Sequence, residues 1–194
     1  MLEIVERPLP YVSRLALRPL ASITRVVIHA TELPDLALAR EYGESLRYPE
    51  AGTGASGHWY IDRDGRCECW VPPERIAHHV RGHNADSVGI ELVNLGRFPN
   101  WYASDAQHWP EAYPSAQINV LIALLAQLQR ALPQLCSIAG HDALDLDEVP
   151  ASDDPQRKVR RKLDPGPQFP WTSIAAALPA LERLPVVFNS PFES

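Results

Sequence analysis

Two histidines and one aspartate, far apart in the chain, stand where a side chain can be aimed. His29 ends the β-branched run "TRVVIHAT", and His141 ends the apolar run "LCSIAGH". A histidine at the edge of a sheet, just where the chain leaves the core, is placed to point into a cleft. Asp164 is followed by Pro165, Gly166 and Pro167. Prolines fix φ and glycine opens conformations closed to other residues, so a turn this constrained presents the aspartate in one direction. Two neutral imidazoles and one carboxylate bind Zn²⁺ and leave a fourth position for water, the requirement of a catalytic rather than a structural site. The same donor set accepts other divalent ions. Seven histidines occur, at 29, 58, 78, 79, 83, 108 and 141. Each alone is more often a hydrogen-bonded packing residue than a ligand; the combination with Asp164 is what points to a metal. The long separations from 29 to 141 to 164 are unlike the tight clusters of zinc fingers and suit a site assembled by the tertiary fold.

The elements that must position these groups follow from periodicity. Thr24 to His29 reads as a buried strand. "PDLALAREYGESLR" predicts a helix with Asp35 near its start. "GHWYIDRDGRCECWVP" predicts a hairpin, with His58 to Arg63 and Arg66 to Val71 as strands and Asp64-Gly65 as the turn. Ser87 to Asn94 is a further strand. A loop rich in aromatics and proline, Gly96 to Tyr113, follows. Its Trp101, Tyr102, Trp109 and Tyr113 suit either stacking on a ligand or capping the core. Ile118, Leu121, Ile122, Leu125, Leu128 and Leu132 recur at helical spacing between Pro114 and Pro133, the clearest helix in the chain. A short strand then leads to His141, Asp142 to Pro155 reads as acidic and irregular, and "WTSIAAAL" begins a last helix that Pro179 bends or stops. Alternating strands and helices predict one α/β domain with a mixed central sheet covered by helices. We expect residues 1–22 to form an N-terminal extension packing on a domain of 23–182, with 183–194 as a C-terminal tail.

Bulk composition narrows the function. At 194 residues the chain can fill one domain well and is short for two. With 45% hydrophobic and 22% charged residues it is ordinary for a globular protein. A net charge of -6 argues against a nucleic-acid binder that relies on phosphate neutralisation, and against anionic membrane surfaces. The basic run "RKVRRK", Arg157 to Lys162, reads as a solvated face. No apolar run approaches the roughly 20 residues that span a bilayer. Glu3, Glu6, Arg7, Arg14 and Arg18 interrupt the region where a signal peptide keeps an uncharged core, so the expected location is the cytoplasm, with release by lysis or a dedicated export machine as alternatives. Three cysteines fit a reducing compartment; Cys67, Cys69 and Cys136 read as buried packing residues.

Six blocks in order, "VVIHAT", "SGHWYIDRDGRCECWVP", "AHHVRGHN", "SVGIELVN", "IAGHDAL" and "KLDPGPQFPW", resemble the type 2 N-acetylmuramoyl-L-alanine amidases from Ile23 to about Leu178. That group contains muropeptide-recycling amidases, phage amidase lysozymes and the peptidoglycan-recognition proteins. The resemblance implies the peptidoglycan-recognition-protein-like α/β fold and a zinc ion held by His29, His141 and Asp164. It further implies Glu91, in the G-I-E strand, as catalytic base and Lys162 as the group stabilising the oxyanion. His79 matches a histidine of the substrate cleft, although His78 stands where the family usually has tryptophan and Ala30 where recycling members often have asparagine. The implied partner is peptidoglycan or a muropeptide, with no nucleic acid and no membrane. Binding modules of this fold commonly lack a metal ligand; all three positions are filled here, which favours an enzyme over a non-catalytic module.

Overall fold

Residues 2–185 are described by the structure, a computed structural model. In chain order the elements are β1 (Val5–Glu6), β2 (Arg25–Ala30), α1 (Leu36–Glu44), β3 (Leu46–Tyr48), β4 (Thr53–Gly54), β5 (Trp59–Ile61), β6 (Cys67–Cys69) and β7 (Ser87–Leu92). They continue with α2 (Ser115–Ala131), β8 (Ser137–Gly140), α3 (His141–Leu144), β9 (Glu148–Pro150), β10 (Lys158–Arg160), α4 (Trp171–Ala177) and β11 (Glu182–Arg183). The apolar runs become neighbours in one mixed sheet of order β1-β6-β5-β7-β2-β8-β11. Its centre is parallel: β5 with β7, β7 with β2, and β2 with β8. The hairpin pair β5 and β6 is antiparallel. The protein is therefore a single mixed α/β domain, with helices covering a central sheet.

Side-chain alternation decides what each face holds. Val26, Ile28, Val88, Ile90 and Leu92 pack with Ile118, Leu121, Leu124, Leu125 and Leu128 of α2 and with Ile174 of α4. Residues one step out of phase face α1 and the N-terminal segment, where Leu33, Leu36 and Ala39 pack with Tyr60, Trp70, Leu9, Tyr11 and Leu15. Asp35 caps α1 by accepting from the Leu38 amide at 2.8 Å. At the far end of that side the N-terminal segment sends Arg18 inward. Its guanidinium donates to the carbonyls of Pro73 (2.8 Å), Asn84 (2.8 Å) and Ser87 (2.6 Å). Residues 186–194 of the expected tail lie outside the described residues, and Arg183 of that range is in β11.

Several local expectations change. The hairpin connection is Arg63 to Gly65: the Gly65 amide donates to the Asp62 carbonyl at 3.0 Å and the Asp62 amide to the Arg66 carbonyl at 2.8 Å. Gly65 sits at φ 91, the left-handed position that a three-residue connection requires. Cys136 is exposed, unlike Cys67 and Cys69. It lies one residue ahead of β8, beyond the stretch Ser137–Gly140 whose residues are all buried, so the strand phase that buries Ile138 does not extend to its thiol. The segment after His141 is not irregular throughout, because β9 and β10 form an antiparallel pair. That pairing leaves "RKVRRK" only in part a solvated face: Arg157 and Lys158 are exposed, but Val159 is buried and Arg160 donates to the carbonyls of Asp142 (2.7 Å) and Asp145 (3.0 Å). Among the described residues no helix is long and apolar enough to cross a membrane.

Candidate metal centre and cleft

Strand register brings the ionisable groups to one edge. His29 of β2 pairs with Glu91 of β7, and Ile28 pairs with Gly140 of β8, so His141 follows beside His29. All three positions lie at the carboxyl ends of parallel strands, where open α/β sheets place ligands. Asp164 arrives on its turn beside His141, with its backbone carbonyl accepting from the Asp142 amide at 2.9 Å. His29 Nδ1, His141 Nδ1 and Asp164 Oδ2 then form a nearly equilateral triangle of 2.9, 3.1 and 3.1 Å. A tetrahedral Zn²⁺ with bonds of about 2.0–2.1 Å sets its ligand atoms about 3.3 Å apart, so the donors fit a cation of that size after a small outward relaxation. All three residues are buried. Asp164 Oδ1 and His141 Nε2 have no hydrogen-bond partner among the described residues, an uncommon state for buried polar atoms.

The protonation states suit a cation. Burial pushes the His141 imidazole down, against the opposing pull of Asp164, which leaves the neutral, ligating form. Burial would raise the Asp164 carboxyl, but His141, Lys162 and the close polar contacts with both histidines outweigh it and hold the group well below the usual carboxylate range. Glu91 Oε1 stands 4.0 Å from His29 Nδ1. Its carboxyl is raised by burial and by Asp164, with His29 and Lys162 acting in the other direction.

A cavity of ≈ 220 Å³ opens over these groups and is lined by His29, Glu91, His141, Lys162 and Asp164, with His79 in its wall. His79 also lies 3.0 Å, Nδ1 to Nε2, from His29. Burial, followed by the neighbouring His29 and His58, pushes His79 well below the ordinary histidine range. The structure thus brings together all six residues singled out in the sequence. Among the lining residues that escaped it are Tyr42, Arg47 and Tyr60. Tyr60 was within reach of the alternation, since it pairs with Glu91 across β5 and β7 while Trp59 and Ile61 turn to the apolar core. Tyr42 and Arg47 depend on where α1 and the chain after it dock, which no local pattern records.

The turn that carries Lys162 and Asp164 is held from behind. Gly166 sits at φ 80, and a Cβ there would come 2.4 Å from the Trp109 ring, so glycine is required both for the backbone and for the contact. The Tyr113 hydroxyl donates to the Pro165 carbonyl at 2.6 Å. Arg97 donates to both Glu32 oxygens (2.7 and 2.9 Å) and to the Arg160 carbonyl (2.9 Å), joining the chain after β2 to the approach to Lys162. Trp101 donates to the Glu32 carbonyl at 3.1 Å. Trp101, Trp109 and Tyr113 therefore brace the site from outside, and the aromatic side chains that line the cavity are Tyr42 and Tyr60.

Fold and site define the class: a mixed-sheet α/β protein with a buried His-His-Asp cluster that could hold a metal ion in a cleft. Residues 19–167 match the N-acetylmuramoyl-L-alanine amidase family, and the chain belongs to it. An endolysin of Enterobacteria phage K11 is 33% identical over 86 residues, 44% of this chain and 52% of the phage protein, so the chain spans about half the length of that relative. Among solved structures, the N-acetylmuramoyl-L-alanine amidase LysC from Clostridium intestinale superposes with a TM-score of 0.65 at 21% identity, over 92% of this chain and 98% of its own. The amidase AmiD from E. coli, in complex with the substrate anhydro-N-acetylmuramic acid-L-Ala-D-gamma-Glu-L-Lys, superposes with a TM-score of 0.60 at 24% identity, over 80% of this chain and 57% of its own. These superpositions place the fold among the amidases and their structural kin.

Proposed function

We propose that the protein is a zinc-dependent N-acetylmuramoyl-L-alanine amidase. It hydrolyses the amide between the lactyl group of N-acetylmuramic acid and L-alanine in peptidoglycan or soluble muropeptides. The observation that supports this reading most strongly is the triangle of His29 Nδ1, His141 Nδ1 and Asp164 Oδ2 inside the cleft. Zn²⁺ held by these three side chains supplies Lewis-acid activation of water and of the amide carbonyl, the two partners that react sluggishly unaided.

The chain's own groups do the rest. Glu91, whose carboxyl is pushed up by burial, is the base that removes a proton from the attacking water. A carbon–oxygen bond forms at the lactyl carbonyl, the carbon–nitrogen bond breaks, and Glu91 returns the proton to the departing nitrogen as the alanine amine leaves. Lys162, in the wall of the same cavity, stabilises the negative charge that develops on the carbonyl oxygen. His79 and Tyr60 border the space in which the substrate must lie.

Mass spectrometry of muropeptides incubated with the protein, with and without a chelator, tests the reading. The expected products are the free stem peptide and the intact sugar, lost on chelation and regained with Zn²⁺. Parallel runs on intact sacculi and on soluble anhydro-muropeptides identify the substrate pool. Absence of any chelator-sensitive cleavage, with muropeptide still bound, leaves a non-catalytic binding module of the same fold.

A further inference from the structure

We propose that His79 is a positioning residue for the metal ligand His29, part of a relay that fixes which nitrogen of His29 is free to bind a cation. The proposal rests on the reading of His29 as a zinc ligand given above. The direction of the relay follows from its far end, where the only acceptor without choice is a backbone carbonyl. The Ser87 hydroxyl donates its single hydrogen to the His83 carbonyl at 2.6 Å. Ser87 Oγ must therefore accept from His79 Nε2, which lies 3.3 Å away. A neutral imidazole carries one N–H, so a proton on Nε2 leaves His79 Nδ1 as an acceptor. That atom stands 3.0 Å from His29 Nε2, which must then be the protonated nitrogen of His29. The lone pair of His29 is left on Nδ1, the atom facing His141 and Asp164.

The surroundings hold His79 for this task. The Asn84 Oδ1 atom accepts from the His79 and Val80 amides at 3.0 and 2.8 Å, which anchors the backbone. The ring lies flat against β7 because residue 89 has no side chain: a Cβ on Gly89 would come 2.7 Å from both Cγ and Nδ1 of His79. The second ligand histidine has no such support. His141 Nε2 finds no hydrogen-bond partner among the described residues, and Asp145 Oδ2 stays 4.0 Å away. The tautomer of His29 is thus built into the fold, and that of His141 is left to the cation. Groups that orient metal-binding histidines in this way contribute to metal affinity without touching the ion.

Zinc binding by the full chain, measured without substrate by competition with a chromophoric chelator, tests the relay. His79→Leu, which keeps bulk and removes the acceptor, is expected to weaken zinc binding about 10- to 100-fold. His79→Asn places its Oδ1 near the lost Nδ1 and is expected to restore most of that affinity. Equal zinc affinity in the native protein and His79→Leu overturns the proposal. Should the leucine variant fail to fold, nitrogen-15 NMR of the imidazoles in the native zinc-loaded protein reads the tautomers directly. Protons on Nε2 of both His29 and His79 are expected; a proton on Nδ1 of His79 overturns the relay. The two readings separate cleanly. Zinc-dependent cleavage with an unchanged His79→Leu affinity defeats the relay alone. Intact tautomers and affinities without cleavage defeat the amidase activity alone, and a native chain that binds no zinc defeats both.

Discussion

On one face of the sheet Ile28, Ile90 and Leu92 are fully buried against Leu121, Leu124 and Leu125, whereas on the other the next residues of the same strands, His29 and Glu91, open into a cleft. The apolar face is held mainly by contact with α2, with Gln117 of that helix donating to the Ile61 and Val93 carbonyls while its own Oε1 has no partner among the described residues. The polar face holds two buried atoms, Asp164 Oδ1 and His141 Nε2, without hydrogen-bond partners among the described residues. Leaving such atoms unpaired costs about 1–3 kcal/mol each, so the site is assembled at the expense of stability that the α2 side must supply. One residue of strand phase separates the two environments. The difference teaches that the same β-ladder serves as scaffold and as active-site wall, with parity as the only switch.

Substitutions on the two faces should therefore separate activity from stability. The largest effect is expected from Asp164→Ala, which removes the carboxylate of the triad: hydrolysis and zinc binding should both be lost while far-UV circular dichroism stays native. Retained stoichiometric zinc binding would falsify the assignment of Asp164 as a ligand. Glu91→Gln keeps shape and removes the base, and kcat is expected to fall about 10²- to 10⁴-fold with zinc affinity intact. A change confined to KM would make Glu91 a substrate contact instead. On the opposite face, Leu125→Ala should lower unfolding stability by about 2–5 kcal/mol in denaturant titrations, with kcat/KM per folded molecule unchanged. Coupled loss of activity there would show that the faces are not independent.

The last effect is a pH dependence behind the cleft, small over any one pH unit. His58 is fully buried, bonded to the Gly89 amide at 3.0 Å and set 2.8 Å from Arg18. Burial, then the charge of Arg18, pushes its imidazole down to about 3. In the unfolded chain it titrates near its ordinary value of about 6.5. Below that pH the unfolded chain takes up a proton that the folded chain refuses. The contribution of His58 is thus fully present above about pH 6.5 and is lost, by up to about 1.4 kcal/mol per pH unit, as pH falls towards about 3. Denaturant titrations of the native protein and His58→Asn between about pH 7 and pH 4 measure the difference, and the variant should show the shallower acid slope. Identical slopes would remove His58 as a source of acid sensitivity.

How much of this was legible before the fold was known varies by residue. The helical stripe of α2 and the alternation of β2 and β7 are local, so the elements and the parity of His29 and Glu91 could be read from the chain. The constrained Pro-Gly-Pro turn marked Asp164 for the same reason. Arg18, Arg97 and Glu32 were not legible, because each acts through partners roughly 40 to 69 positions away. Cys136 and the later part of the basic run, from Val159 on, were misread where a strand boundary or an unforeseen pairing decided exposure.

By itself the sequence determined which residues face alike along each strand, where the chain must turn, and which donor types a cation would find. Only the tertiary structure decided that His29 and His141, 112 positions apart, stand 2.9 Å from one another, and that His79 reaches the first of them. The physical reason is that alternation and turn chemistry are set by neighbours a few bonds away. Convergence of distant side chains depends instead on strand order and on which glycines let the chain approach, and those are properties of the packed whole.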